Sequence, residues 1–208
     1  MFTGIIQAKG NIKEIRISNK GAVFALNSNS LELSDVSIGD SIAVNGVCLT
    51  ITQLDKNSFS ANVSQETLNC TTFSQLKKGQ NINLEKSLRL DQGIDGHLVS
   101  GHVDGVGEVV SLQKEGESTR LKIKVKNDLS KYIAKKGSIC INGVSLTVNS
   151  VEADIFDVNI VPHTLSVTTL GELIENSSVN IEIDIIARHV EQLISHKTSS
   201  GKDMSISQ

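Results

Sequence analysis

The chain carries one phrase twice, first as Asn45-Gly46-Val47-Cys48-Leu49-Thr50 and then as Asn142-Gly143-Val144-Ser145-Leu146-Thr147, and the two copies stand 97 positions apart. The same offset carries Gly4 onto Gly101, Gly10 onto Gly107, Ser41 onto Ser138, Phe59 onto Phe156 and Asn62 onto Asn159. It also carries Thr67-Leu68 onto Thr164-Leu165, Thr71-Thr72 onto Thr168-Thr169, and Asn83 and Glu85 onto Asn180 and Glu182. A single register held over this length marks a duplication, so whatever one half builds the other builds again. In a chain of 208 residues, that means two modules of roughly 90 residues, each large enough for its own core.

Each half reads as short β segments separated by Asn, Asp, Gly and Ser clusters, the pattern of an all-β barrel or sandwich. In the first copy these segments fall around 11 to 17, 21 to 27, 41 to 53, 58 to 64 and 80 to 86. Asn45-Gly46 and Asn142-Gly143 are each flanked by apolar alternation, which predicts two type I′ hairpins, since both turn residues tolerate positive φ. Residues 31 to 37 are expected to form a helical turn, and so are residues 128 to 133, with Asn127 as the cap. The polar, glycine-bearing stretch from Leu90 to Gly96 reads as a linker. After Asp184 the alternation stops, and Ile186, Val190, Leu193 and Ile194 recur at helical spacing. That helix lies outside both repeats and is expected to meet its counterparts from neighbouring subunits, the alternative being that it docks on its own chain. The Ser- and Lys-rich residues 197–208 are expected to be disordered.

Composition excludes several functions. The 20 basic and 23 acidic residues nearly cancel, so the chain has no electrostatic footprint for nucleic acid and no basic face for a membrane. Aromatic residues make up 3% and Trp is absent, so a planar ligand would be held mostly by backbone and aliphatic groups. Cys48, Cys70 and Cys140 lack metal-type spacing and read as reduced thiols of a cytoplasmic protein. No apolar run approaches the roughly 18 residues of a membrane helix.

No metal site is expected either. His97 and His102 stand five apart, which on a strand turns them to opposite faces, and no thiol or carboxylate cluster completes a ligand set. His189 and His196 fall on the predicted helix and read as packing or solvent residues. Hydrolase elbows, phosphate-binding loops and dinucleotide fingerprints are missing. The repeat offers a sharper filter, because positions where the two copies differ are free to do different jobs. Ile5 corresponds to His102, Cys48 to Ser145, Glu66 to His163 and Ser87 to Asp184.

Several separated motifs then converge. They are the opening Met1-Phe2-Thr3-Gly4-Ile5-Ile6, the doubled Asn-Gly-Val-x-Leu-Thr, the join Gly96-His97-Leu98-Val99-Ser100-Gly101-His102-Val103-Asp104-Gly105, and Pro162-His163-Thr164-Leu165 with Thr168-Thr169-Leu170. Together they resemble the riboflavin synthase family of the α-chain type. The resemblance implies two tandem six-stranded Greek-key β-barrels: residues 1–97 with the linker, and residues 98–185. A trimerisation helix over 186–196 and the tail 197–208 follow. It implies a homotrimer, leaves an association with lumazine synthase open, and requires no metal or other cofactor. The implied reaction dismutates two molecules of 6,7-dimethyl-8-ribityllumazine by moving a four-carbon unit between them, giving riboflavin and 5-amino-6-(D-ribitylamino)uracil. The alternative within the same family is a non-catalytic protein that binds lumazine or flavin.

Carried over residue by residue, the resemblance gives an N-terminal pocket with Phe2 at its mouth. Gly4, Ile5 and Ile6 line it, with Ser41, Cys48, Leu49 and Thr50. Asn62, Val63, Ser64, Gln65, Glu66 and Thr67 complete it. The C-terminal pocket takes Gly101, His102, Val103 and Lys136, then Ser145, Leu146 and Thr147. Ile160, Val161, Pro162, His163, Thr164 and Leu165 close it. His102 is the expected proton-transfer group, since a neutral imidazole is available near physiological pH. Ser145 and Thr147 are expected to orient substrate or water, Cys48 to shape the acceptor side, and Asp184 to contribute across the subunit interface.

Overall fold

The computed structural model describes residues 1–200. Each half closes into a six-stranded antiparallel barrel. The first contains β1 (Ala8–Ser18), β2 (Gly21–Asn27), β3 (Ser41–Val44), β4 (Val47–Leu54), β5 (Ser58–Ser64) and β6 (Asn81–Lys86), in the order β1-β2-β5-β4-β3-β6. The second contains β7 (Gly105–Glu115), β8 (Ser118–Lys124), β9 (Ser138–Ile141), β10 (Val144–Glu152), β11 (Ile155–Ile160) and β12 (Ser178–Ile183), and repeats that order. Even the irregularities are duplicated. Bulges fall between Ile12 and Glu14 and between Ile51 and Gln53, and again between Val109 and Ser111 and between Val148 and Ser150. A bulge bends its strand and adds twist, which lets short strands close without an exposed edge.

Two helices cap the barrels where loops were expected: α1 (Gln65–Cys70) and, in the second barrel, α3 (Pro162–Val167). Ser64 caps α1 by accepting from the Thr67 amide, and Pro162 opens α3 from the first turn. Residues 31–37 form turns, because Leu31 and Leu33 both insert into the first core and that spacing does not fit a helix. The short helix α2 (Asn127–Ser130) is present, but Asn127 lies inside it and Lys126 occupies the cap position. The final helix, α4 (Ile185–Ser200), runs past the expected end at 196 into the segment expected to be disordered. Residues 201–208 of that segment lie outside the described residues.

The barrels meet at their hairpin tips. Asn45 and Gly46 take φ of 45° and 78°, and Asn142 and Gly143 take 47° and 84°, as the type I′ turn requires. A Cβ on Gly46 would lie 2.7 Å from the Gly143 nitrogen, so the two tips touch backbone to backbone. Around this contact sits a buried amide network with its own two-fold pattern. The Asn83 side chain donates to the Asn142 carbonyl at 2.8 Å and accepts from the Thr169 amide at 2.7 Å. The Asn180 side chain does the same with the Asn45 carbonyl and the Thr72 amide, both at 2.8 Å. The amides of Asn83 and Asn180 are themselves held by the Asn45 and Asn142 side chains.

The segments preceding each barrel cross to the other one. Ile6 packs against the second core, and Val103 packs against the first. Phe2 pairs with Val99 as an isolated antiparallel bridge, fully buried in a small cluster with Ala43, Cys140 and Cys48. It is therefore part of the joint between the barrels. Asn83 satisfies groups on the opposite barrel that water cannot reach, so Asn83→Ala should destabilise the protein by roughly 2–5 kcal/mol. Urea unfolding measures this, and a loss below about 1 kcal/mol would show that the network carries little of the joint.

Candidate active site

Alternation along a strand puts Cys48 and Thr50 on the outer face of β4, with Leu49 turned into the core. The duplicated strand β10 presents Ser145 and Thr147 in the same way. Each of these faces is completed by the other half of the chain. The Ser145 amide donates to the Gly4 carbonyl at 2.8 Å, and the Cys48 amide donates to the Gly101 carbonyl at 2.9 Å. Gly4 and Gly101 take φ of 77° and 80°, and a Cβ on either would stand 2.6 Å from the Cβ of Ser145 or Cys48. Only glycine permits both that backbone conformation and that approach. Thus Gly4, Ile5 and Ile6 belong with the Ser145 face, while Gly101, His102 and Val103 belong with the Cys48 face. This differs from the grouping that the resemblance implied.

The Ser145 face holds a buried imidazole bonded to its hydroxyl, whereas the imidazole beside Cys48, His102, is exposed. His97 Nδ1 lies 2.7 Å from Ser145 Oγ, and its backbone amide donates to the Thr3 carbonyl at 3.1 Å. Its Nε2 is buried without a protein hydrogen-bond partner. Burial pushes the His97 pKa below its ordinary value of 6.5, and the Asp184 carboxylate pulls the other way. A neutral ring that donates from Nδ1 to Ser145 would leave the buried Nε2 lone pair without a partner; the opposite tautomer would leave an Nε2 proton unpaired instead. The divergence filter between repeats is blind to His97, because subtracting the offset places its counterpart before residue 1. A five-residue spacing on a strand misled as well, since residues 97 to 104 form an irregular crossing segment. Among the described residues no cluster of three His, Cys, Asp or Glu could hold a metal ion.

Comparison with known proteins now adds to this geometry. A family model for the lumazine binding domain matches residues 3–87 and again 100–184. Riboflavin synthase of Photobacterium leiognathi is 45% identical over 96% of this chain and 94% of its own length. The chain belongs to the riboflavin synthase family. Other members include the riboflavin synthases of Actinobacillus pleuropneumoniae, 42% identical over 100% of this chain and 96% of its own, and of Bacillus subtilis, 37% identical over 97% and 93%. Among solved structures, LumP complexed with riboflavin matches with a TM-score of 0.79 at 30% identity, covering 88% of this chain and 99% of that one. LumP complexed with 6,7-dimethyl-8-(1'-D-ribityl) lumazine matches with a TM-score of 0.78 at 29% identity and the same coverage.

The remaining family-derived positions divide by burial. Leu49, Val63 and Ile160 are 4%, 2% and 0% exposed and point into the barrel cores, leaving only their backbone to a ligand. Leu146 and Leu165 pack against the second core from its edge. Asn62, Ser64, Gln65 and Glu66 are exposed along the end of β5 and the start of α1, with Thr67 half-buried, while Val161, Pro162 and His163 are exposed at the start of α3 and Thr164 is half-buried. Ser41 pairs with Thr50, whereas Lys136 is an exposed turn residue with φ of 65°. His102 is exposed, its amide donating to Ser100 Oγ at 3.2 Å. Asp184 caps α4 through the Ile186 amide at 2.9 Å.

The lowered pKa fixes the sign of a pH effect. As pH falls through 6.5 the unfolded chain takes up the proton first, so His97's contribution to stability is complete above 6.5 and declines toward its folded pKa. NMR titration should place the His97 midpoint below 6.5, and His97→Gln should flatten the stability profile in that window. A midpoint above 6.5 would contradict the buried, neutral ring.

Proposed function

We infer that the protein is a riboflavin synthase, dismutating two molecules of 6,7-dimethyl-8-ribityllumazine to riboflavin and 5-amino-6-(D-ribitylamino)uracil. The observation that carries this reading is the pairing of two lumazine-binding repeats with relatives of one activity that match nearly the whole chain. A reaction between identical molecules calls for two similar sites, and a duplicated barrel provides them. Holding both rings in register replaces a bimolecular encounter with a preorganised one.

The first chemical demand is removal of a proton from the C7 methyl group of one lumazine. We assign this to His97 acting from Nε2, a buried atom that substrate binding must uncover, with Ser145 fixing the tautomer through Nδ1. Ser145's amide is already committed to Gly4, so its hydroxyl is held where the imidazole needs it. His102 remains the candidate on the Cys48 side, exposed where the other face presents Ile5. Cys48, Thr50 and Thr147 orient the two substrates, and Asp184 tunes His97 while capping α4.

The second reading is a non-catalytic ligand-binding protein like LumP. Identity speaks against it: the LumP structures are 29% and 30% identical to this chain, whereas the riboflavin synthases from the two Photobacterium species are both 45% identical. In α4, Arg188 pairs with Asp104 at 2.6 Å and Glu191 bonds Lys131 and Tyr132, so a polar face docks on the second barrel. Ile186, Val190 and Leu193 are left 67%, 48% and 68% exposed. We propose that this stripe builds a homotrimer in which the N-terminal barrel of one subunit faces the C-terminal barrel of the next. No described helix is long and apolar enough to cross a membrane, and we assign the protein, with its three free thiols, to the cytoplasm.

Purified protein mixed with the lumazine should generate riboflavin fluorescence without added cofactor; binding without product would reject the enzyme in favour of the LumP-like reading. His97→Gln should lower kcat by about 10²–10⁴-fold, the range for a lost general base, and His102→Gln by less than about tenfold. The reverse order would return the proton transfer to His102. Leu193→Lys should shift the mass of the assembly from trimer to monomer, and an unchanged mass would remove α4 from the interface.

A further inference from the structure

Glu85 and Glu182 occupy equivalent places in β6 and β12, 3% and 2% exposed. A carboxylate buried this far costs several kcal/mol unless its oxygens are fully bonded. Both are. Glu85 Oε1 accepts from the Thr3 amide at 2.6 Å and the Thr3 hydroxyl at 2.7 Å, and its Oε2 accepts from the Gly4 amide at 3.0 Å. Glu182 repeats the set on the Ser100 amide and hydroxyl, both at 2.6 Å, and on the Gly101 amide at 2.9 Å. Every one of these donors belongs to a crossing segment, and none belongs to a barrel strand.

The next bond along each crossing segment goes to the opposite barrel. The Gly4 amide donates to Glu85 and its carbonyl accepts from the Ser145 amide; the Gly101 amide donates to Glu182 and its carbonyl accepts from the Cys48 amide. We propose that Glu85 and Glu182 are positioning residues that act in exchange: Glu85, in the first barrel, sets the Ser145 face of the second, and Glu182, in the second barrel, sets the Cys48 face of the first. Thr3 continues the Glu85 chain to the proton-transfer pair, since its carbonyl accepts from the His97 amide. Among the described residues no backbone bond carries the Glu182 chain on to a histidine. Loss of Glu85 therefore disturbs the His97–Ser145 pair, while loss of Glu182 disturbs only ligand seating beside Cys48.

This inference rests on the proposed synthase reading for its kinetic half, and its structural half can be tested without substrate. Hydrogen exchange followed by mass spectrometry is measured on the full-length ligand-free protein, wild type and the variants Glu85→Gln and Glu182→Gln. A glutamine turns an NH₂ toward donors that need an acceptor. Glu85→Gln should speed exchange about tenfold or more in the segment containing Ser145 while leaving the segment containing Cys48 unchanged. Glu182→Gln should do the opposite. In turnover, Glu85→Gln should lower kcat and shift its acid limb, whereas Glu182→Gln should raise KM with kcat largely kept. Thr3→Val, which removes one donor and keeps the carboxylate, should give a weaker form of the Glu85→Gln pattern, and Thr3→Ser should restore it; this pair serves if Glu85→Gln does not fold. Loosening confined to each variant's own barrel, or equal in both, would overturn the exchange. Crossed exchange effects in a protein without turnover would uphold the positioning and reject the synthase reading instead.

Discussion

The structure depends on two hairpin tips that touch with no side chains between them. A backbone contact that close leaves carbonyls and amides from two separate barrels away from water, and the Asn83 and Asn180 side chains are the groups that satisfy them. Each asparagine belongs to one barrel and bonds the other, so neither barrel completes its own polar accounting alone. The repeated Asn-Gly phrase is thus a folding signal and an assembly signal together. Asparagine supplies positive φ and an anchoring side chain, and glycine supplies the approach.

The same reciprocity reaches the chemistry. The crossing segments that Glu85 and Glu182 hold are the segments whose carbonyls close over Ser145 and Cys48, so each face is framed by residues from both halves of the chain. Symmetry would make the faces equal, but a dismutation needs one molecule to give and the other to receive. The asymmetry comes from the connection. His97 lies in the join between the two copies, and it bonds the one hydroxyl, Ser145, that stands where the first copy has Cys48. Duplication supplies two seats, and the join between the copies distinguishes them.

Much of this was legible in the sequence. The offset predicted two modules, the Asn-Gly pairs placed the hairpins, and the alternation placed the strands to within a few residues of β1 to β6. What stayed hidden was mostly non-local. The resemblance placed Gly4 with the first pocket and Gly101 with the second, whereas the crossing segments set Gly4 beside Ser145 and Gly101 beside Cys48. Helices α1 and α3 were read as loops because six residues carry too little periodicity, although Ser64 with Thr67 and Pro162 were visible start signals. The pairing of Phe2 with Val99, which buries that ring in the joint, was likewise out of reach of a local reading. His97 was set aside by a strand geometry that its segment does not adopt.

The most direct test is a crystal structure of the protein with riboflavin bound. The account predicts that a ligand on β10 touches Ser145 and also residues 4 to 6 and His97, and that a ligand on β4 touches Cys48 together with residues 101 to 103. A ligand contacting residues of one repeat alone would contradict the idea that each site is built by both.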